Sequence, residues 1–191
     1  MVRCAGLGLL LTIVLAPGCG DDSSGNPDLS ACTGGPAAGA ADTHCGGTFT
    51  AIVAAECSAD AGAPNTGGGD YGDTMYGTTA YDDDCKYAVS YTVDPICENG
   101  GTSFTITLKN AKTNALVPNA SEVRAEVFLD DTHPAPNSGA TTSETSPGIY
   151  KVGPIKFDKP GTWTVRFHFF EGCTDAPASP HGHAAFFVTV P

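Results

Sequence analysis

The residues of this chain that could carry chemistry are five histidines and two short acidic runs. The most specific pattern is His181-Gly182-His183. In an extended chain, residues i and i+2 point to the same side, so both imidazoles can reach one copper or zinc ion, and His168 is a candidate third ligand. In the alternative interpretation, His183 begins the outer face of the last strand beside His168, and both rings bond to backbone or water.

The acidic run Asp82-Asp83-Asp84 could offer calcium several hard oxygens. Three consecutive side chains cannot all converge on one ion without help from loop carbonyls, and the ligand spacing of a calcium-binding loop is absent. We therefore expect a solvated acidic turn at these residues.

Catalytic patterns are absent from the sequence. It contains no G-x-S-x-G turn around a nucleophilic serine and no H-E-x-x-H zinc motif. The Gly-rich run 67–69 is followed by Asp70, where a phosphate-binding loop would need a lysine. We therefore expect that the protein is not an enzyme.

The eight cysteines fall into distinct groups by position. Cys4 lies inside an apolar N-terminal segment, and Cys19 follows that segment. The other six are spread along the chain, at Cys32, Cys45, Cys57, Cys85, Cys97 and Cys173. Because an exported chain leaves the reducing cytosol, we expect up to three disulfides among these six, in a pairing that the sequence leaves open. None of them has the C-x-x-C spacing of a zinc or redox motif.

Residues 1–18 have the features of an export signal, with Arg3 before an apolar run that is too short to span a bilayer. The run ends in Leu15-Ala16-Pro17-Gly18-Cys19, which resembles the lipobox that is cut just before a lipid-bearing cysteine. A typical lipobox has Leu where this chain has Ala16, and the alternative is an ordinary signal peptide cut near Gly18. We expect a lipid anchor on Cys19 and sorting to the bacterial outer membrane.

The net charge of −12 is distributed unevenly along the chain. Between Arg3 and Lys86 there are eleven acidic residues and no lysine or arginine. Such a field repels phosphate backbones and anionic lipid head groups. We therefore expect no nucleic-acid partner, and membrane contact through the lipid alone.

The N-terminal part of the mature chain is expected to be an extension rather than a domain. Residues 19–43 lack large apolar side chains apart from Leu29, which predicts a flexible tether. Residues 44–84 form an acidic, cysteine-containing segment, rich in loops, that has few means of holding itself together except disulfides. Together they predict a disulfide-stapled, loop-rich extension in front of a domain at residues 85–191.

In residues 85–191, apolar side chains alternate with polar ones in short runs that are separated by turns. These runs predict strands at 87–93, 104–108, 123–129, 149–157, 163–169 and 184–190, and a Pro- and Ser-rich loop at 132–147. Short antiparallel strands around the central Trp163 predict an all-β fold, an immunoglobulin-like β-sandwich.

The same alternation predicts an apolar patch on the outside of the sandwich. If Trp163 and Phe167 point inward, then Phe128, Phe170 and Phe187 point outward. A contiguous apolar patch needs either cover or a partner. Segment 44–84 is the expected cover, and the alternative is a protein partner that binds at the three phenylalanines.

Three stretches of the later strands resemble the YtkA-like and FixH-like family of exported immunoglobulin-like domains. They are Pro147-Gly148-Ile149-Tyr150, Lys159-Pro160-Gly161-Thr162-Trp163-Thr164-Val165 and Ser179-Pro180-His181-Gly182-His183. The resemblance covers about residues 85–191. Some members accompany copper handling, so the resemblance favours a metal role for His181 and His183. A methionine-rich copper motif is absent, because Met75 is the only methionine after the signal, and this weakens a Cu(I) role.

Two functions follow as expectations. The first is a non-catalytic exported lipoprotein that acts as a binding or adaptor module for an unknown ligand. The alternative is a periplasmic copper or zinc binding and delivery protein that uses His181 and His183.

Overall fold

The computed structural model describes residues 32–49, 73–137, 140–171 and 182–191. These residues form eleven strands and no helix. The strands are β1 (Gly35–Pro36), β2 (Thr74–Met75), β3 (Thr79–Tyr81), β4 (Tyr87–Val93), β5 (Gly101–Asn110), β6 (Ala120–Asp130), β7 (His133–Pro134), β8 (Thr142–Ser146), β9 (Ile149–Lys156), β10 (Gly161–Glu171) and β11 (His183–Val190).

Several predicted features lie outside the described residues. They are the export signal, Cys19, the tether up to residue 31, Cys57, Cys173 and His181. Within the described ranges, no helix has the length and apolar character that crossing a membrane would require.

Two sheets divide the strands between them. The first has the order β1-β11-β10-β6-β7, and the second has the order β3-β4-β5-β9-β8. Neighbouring strands are antiparallel except β2, which pairs in parallel with Ala185 and Phe186 of β11. The six strands predicted from alternation are all present, as β4, β5, β6, β9, β10 and β11.

The sheets pack face to face through the side chains that alternation turns inward. Trp163 and Phe167 of β10 are fully buried. The ring of Phe167 lies 5.6 Å from that of Phe104 on β5, and Tyr91 of β4 lies 4.9 Å from Phe186 of β11, measured between ring centroids. Each fully buried apolar side chain of this size stabilises the fold by about 1.5–3 kcal/mol. The predicted all-β, immunoglobulin-like sandwich is confirmed.

The predicted loop at 132–147 was wrong in part. It contains β8, which pairs with β9 at the edge of the second sheet, and the short β7, which pairs with β6. Four of the five β8 residues are exposed to solvent. An edge strand with both faces polar has no apolar alternation, so its sequence resembles that of a loop.

The structure also differs from the predicted tether at its C-terminal end. Cys32 is joined to Cys97, Gly34 pairs with Ile96, and β1 extends the first sheet beside Thr189 and Val188 of β11. Gly34 permits this close approach, because a Cβ there would lie 2.6 Å from the Thr189 carbonyl oxygen. The small residues in this part of the chain, from which the sequence analysis predicted flexibility, allow the backbone to pack closely against β11.

We predict that Gly34→Ala destabilises the protein by about 1–3 kcal/mol, the range for overpacking at a tight site. A Cβ at Gly34 would also lie 2.8 Å from Ile96 Cβ, whereas one at Gly35 meets nothing within 4 Å. The matched control Gly35→Ala should change stability by less than about 0.5 kcal/mol. Urea unfolding measures both, and equal effects would contradict the close approach.

Candidate functional site

The pairing of β10 with β11 brings two of the predicted metal ligands together. His168 lies directly opposite His183 in the antiparallel register. The centroids of their rings are 4.2 Å apart and the rings stand at 84° to each other. The third predicted ligand, His181, lies outside the described residues.

Both histidines are buried, with exposed fractions of 2% for His168 and 1% for His183. Alternation placed His168 on the outer face, so its burial means that this face is covered. At His183 the backbone is held by Asp83, whose amide donates to the His183 carbonyl at 3.0 Å and whose Oδ1 accepts from the His183 amide at 3.0 Å.

The carboxylate of Glu126 orients the ring of His168. Its Nε2 lies 3.3 Å from Oε2 of Glu126, which also accepts from Arg166 Nη1 at 2.9 Å. The hydrogen bond from His168, together with the Arg166 guanidinium, lowers the pKa of Glu126 to about 2, although partial burial opposes this. Burial lowers the pKa of His168, against the effect of its hydrogen bond to Glu126.

These directions assign a neutral His168 that donates from Nε2 to an ionised Glu126. Nδ1 of His168 then carries the lone pair. This atom is buried, and within the described part of the chain it has no hydrogen-bond partner. A histidine that ligates a metal typically has one ring nitrogen hydrogen-bonded to a carboxylate and the lone pair of the other nitrogen available to the metal.

Gly182 does not have the extended conformation that the sequence analysis assumed for His181-Gly182-His183. Gly182 has a φ of +71°, in the left-handed region, and β11 begins only at His183. A Cβ at Gly182 would lie 2.4 Å from the Phe169 carbonyl oxygen, so only glycine fits this approach. The same-side rule for residues i and i+2 therefore does not apply across this residue.

His133 does not belong to this site. It lies on β7, where Nε2 is 2.8 Å from Asp158 Oδ1 and its ring packs on Trp163 at 5.5 Å. Trp163 is five residues from His168 along β10, which is roughly 17 Å of strand.

The acidic run at residues 82–84 is not a simple solvated turn, so that expectation was wrong. Asp82 is fully buried, and its Oδ1 accepts from the amides of Lys86 and Tyr87 at 2.7 Å each. A short polar side chain that bonds the backbone just after it stabilises a turn. Burial raises the pKa of Asp82 to about 7, and the two backbone bonds only partly oppose this.

A second cluster of polar residues lies beside this turn, and the sequence analysis missed it. His44 Nδ1 lies 2.5 Å from Asp42 Oδ1, and its Nε2 lies 2.9 Å from the Asp82 carbonyl oxygen and 3.3 Å from Cys45 Sγ. Asp42 Oδ2 accepts from the Tyr81 amide at 2.8 Å. The sequence contains the pattern D-x-H-C at residues 42–45. This pattern indicates a site only when Cys85 is known to lie next to it.

The structure contains two disulfides, Cys32–Cys97 and Cys45–Cys85, with Cα–Cα distances of 4.5 Å and 5.7 Å. Ligand atoms of His44, Cys45 and Cys85 lie within 4.8 Å of one another, close enough to share a metal ion. The two sulfurs are joined, however, and a disulfide offers no thiolate to a metal. As it stands, this cluster does not fit a metal.

The outward phenylalanines have different surroundings. Phe187 is half-buried, and its ring centroid lies 5.0 Å from that of Tyr76 in segment 44–84. The Arg166 guanidinium lies over the ring of Phe128, 5.2 Å from its centroid. The side chain of Phe170 lies outside the described part of the structure, and a protein partner at these phenylalanines stays a prediction.

Residues 79–168 match the model of the YtkA-like family. The match lies within the region where the resemblance was predicted, and it confirms the predicted resemblance to this family. Among solved structures, the chain is similar to the Lin-41 filamin domain, with 15% identity and a TM-score of 0.36 over 54% of this chain and 91% of that one. No curated protein matches the chain.

We predict that Asp82→Asn flattens the pH dependence of stability between about pH 4 and pH 7. The pKa of Asp82 rises on folding from 3.8 to about 7, so its contribution to stability is complete below pH 3.8 and is lost as the pH rises through 7. The slope in this window is about 1.4 kcal/mol per pH unit. Asparagine keeps an oxygen for the two amides and removes the charge.

Urea unfolding at several pH values measures this change. Asp131→Asn, at an exposed turn, is the control and should leave the profile as in the wild type. An unchanged profile in Asp82→Asn would show that burial of this carboxyl group does not affect the pH dependence of the free energy of unfolding.

Proposed function

We propose that this protein is a non-catalytic, exported binding module that holds a copper or zinc ion through His168 and His183. A YtkA-like sandwich is typical of binding modules rather than enzymes. The observation that carries the proposal is the pair of buried imidazoles, opposite each other on β10 and β11 with ring centroids 4.2 Å apart.

The donor set supports copper or zinc over calcium or magnesium. Neutral imidazole nitrogens suit both metals, while calcium and magnesium prefer oxygen ligands. Glu126 would hold His168 in the tautomer that presents Nδ1, and this interaction commonly changes metal affinity by about 10–100-fold. His181 is the proposed further ligand only because it lies two residues before His183 in the chain. The single methionine after the signal, Met75, argues against a Cu(I) site built on thioethers.

We further propose that the module acts at a membrane surface in an exported compartment. Support comes from the lipobox-like segment before Cys19 and from the two disulfides, which persist in oxidising environments. The lipid would anchor the protein to the bacterial outer membrane. The acidic N-terminal half would attract cations and repel nucleic acid.

Metal titration of the exported chain, purified in mild detergent, tests the proposal. We expect one equivalent of Zn(II) or Cu(II) to bind with micromolar or tighter affinity in calorimetry. His168→Gln and His183→Gln should each weaken binding about 100-fold or more, since each removes a ligand, and Glu126→Gln should weaken it about tenfold.

His133→Gln is the matched control, because it removes an imidazole at the far end of β10 and should leave metal affinity unchanged. Circular dichroism checks that every variant is folded. Absence of binding, or equal binding by His133→Gln and His168→Gln, would contradict the proposal.

A further inference from the structure

The Cys45–Cys85 disulfide lies in a different environment from Cys32–Cys97. Among the described cysteines, Cys45 has an imidazole nitrogen at hydrogen-bond distance from its sulfur, with His44 Nε2 at 3.3 Å. Within the described residues, no histidine is hydrogen-bonded to either sulfur of Cys32–Cys97. The two disulfides therefore differ in whether an imidazole is hydrogen-bonded to a sulfur, and a neighbouring imidazolium affects sulfur reactivity.

The hydrogen bonds of His44 identify it as an imidazolium. Its Nδ1 faces the Asp42 carboxylate and its Nε2 faces the Asp82 carbonyl oxygen at 2.9 Å. Both partners are acceptors, so both ring nitrogens must donate, and only the protonated ring can do so. Burial alone would lower the pKa of His44, but these hydrogen bonds outweigh it and raise the pKa.

The two cysteines also differ in exposure. Cys45 is buried, with an exposed fraction of 6%, whereas Cys85 is partly exposed. Cys85 lies on the turn after Asp82 with a φ of 59°, a left-handed conformation that is unfavourable for a residue with a Cβ. Because Cys85 is the more exposed of the two, an incoming thiol can reach it more easily than Cys45.

We propose that Cys45–Cys85 is a thiol–disulfide exchange site, with Cys85 as the sulfur that is attacked and Cys45 as the sulfur that leaves. The reductant would be a dithiol protein or small dithiol. His44, held by Asp42, acts as a positioning residue that stabilises the Cys45 thiolate.

The exchange proceeds in two balanced steps. A thiolate of the dithiol attacks Cys85 Sγ, so that a new S–S bond forms while the Cys45–Cys85 bond breaks, and the electron pair stays on Cys45 as a thiolate beside the His44 imidazolium. The second thiolate of the dithiol then attacks the dithiol sulfur that is bonded to Cys85. This forms the disulfide of the dithiol and releases Cys85 as a thiolate, which takes up a proton. The protein gains two electrons, and the dithiol becomes a disulfide.

A lower thiol pKa makes a better leaving group, and an adjacent imidazolium lowers that pKa. This predicts that Cys45–Cys85 is reduced faster than Cys32–Cys97 in the same molecule. The less reactive disulfide serves as an internal reference, so the comparison is independent of protein concentration and reagent strength.

The exported full chain, purified in mild detergent, is treated with dithiothreitol for increasing times, trapped with iodoacetamide and analysed by peptide mass spectrometry. We expect reduction of Cys45–Cys85 to be about tenfold faster than that of Cys32–Cys97, with the fluorescence of Trp163 unchanged. Cys45 should then alkylate at a pH at which ordinary thiols are protonated. His44→Gln should slow its reduction about tenfold and shift its alkylation to higher pH.

His133→Gln is the matched control and should leave both rates unchanged. If His44→Gln fails to fold, Asp42→Asn is the second variant, because it removes the charge that holds the imidazolium and should slow reduction in the same direction. Equal reduction rates for the two disulfides in the wild type would overturn the proposal, as would an unchanged rate in a folded His44→Gln protein.

Discussion

The rest of the structure depends on the register of β10 against β11. Eight consecutive pairs, from Gly161 with Val190 to His168 with His183, fix which side chains face the core. The same register that buries Trp163 also sets the two histidines opposite each other. A slip of one residue would exchange the two faces of a strand, exposing the core side chains and separating the imidazoles. Packing between the sheets therefore helps to hold the histidine pair in place.

The turn after β3 is the second element that positions the chemistry. Asp82 closes this turn through two backbone amides, its neighbour Asp83 holds the His183 backbone, and Cys85 ends it in a disulfide with Cys45. Burying a carboxyl group is unfavourable, and the raised pKa of Asp82 reflects it. The two backbone hydrogen bonds to Asp82 offset part of this cost. The same turn contacts both the histidine pair, through Asp83, and the cysteine cluster, through Cys85.

Alternation in the sequence predicted the six long strands because each buries one face, and an apolar residue at every second position records that burial. It missed β1, β2, β3, β7 and β8, since strands of two or three residues and a polar edge strand leave no such record. The sequence predicted His168 and His183 as neighbours on an outer face, whereas the structure buries both rings. The role of His44 was missed because it contacts Asp82, 38 residues further along the chain. Asp82 was expected in a solvated turn, because its bonds to the Lys86 and Tyr87 amides leave no pattern in the sequence.

The central claim is that the β10–β11 register builds a metal-binding pair from His168 and His183. Anomalous diffraction at the zinc edge, from crystals of the exported chain grown with Zn(II), tests it most directly. The account predicts one zinc peak about 2.0–2.1 Å from a ring nitrogen of each histidine. A zinc peak only at other residues, with the two rings still packed against each other, would contradict it.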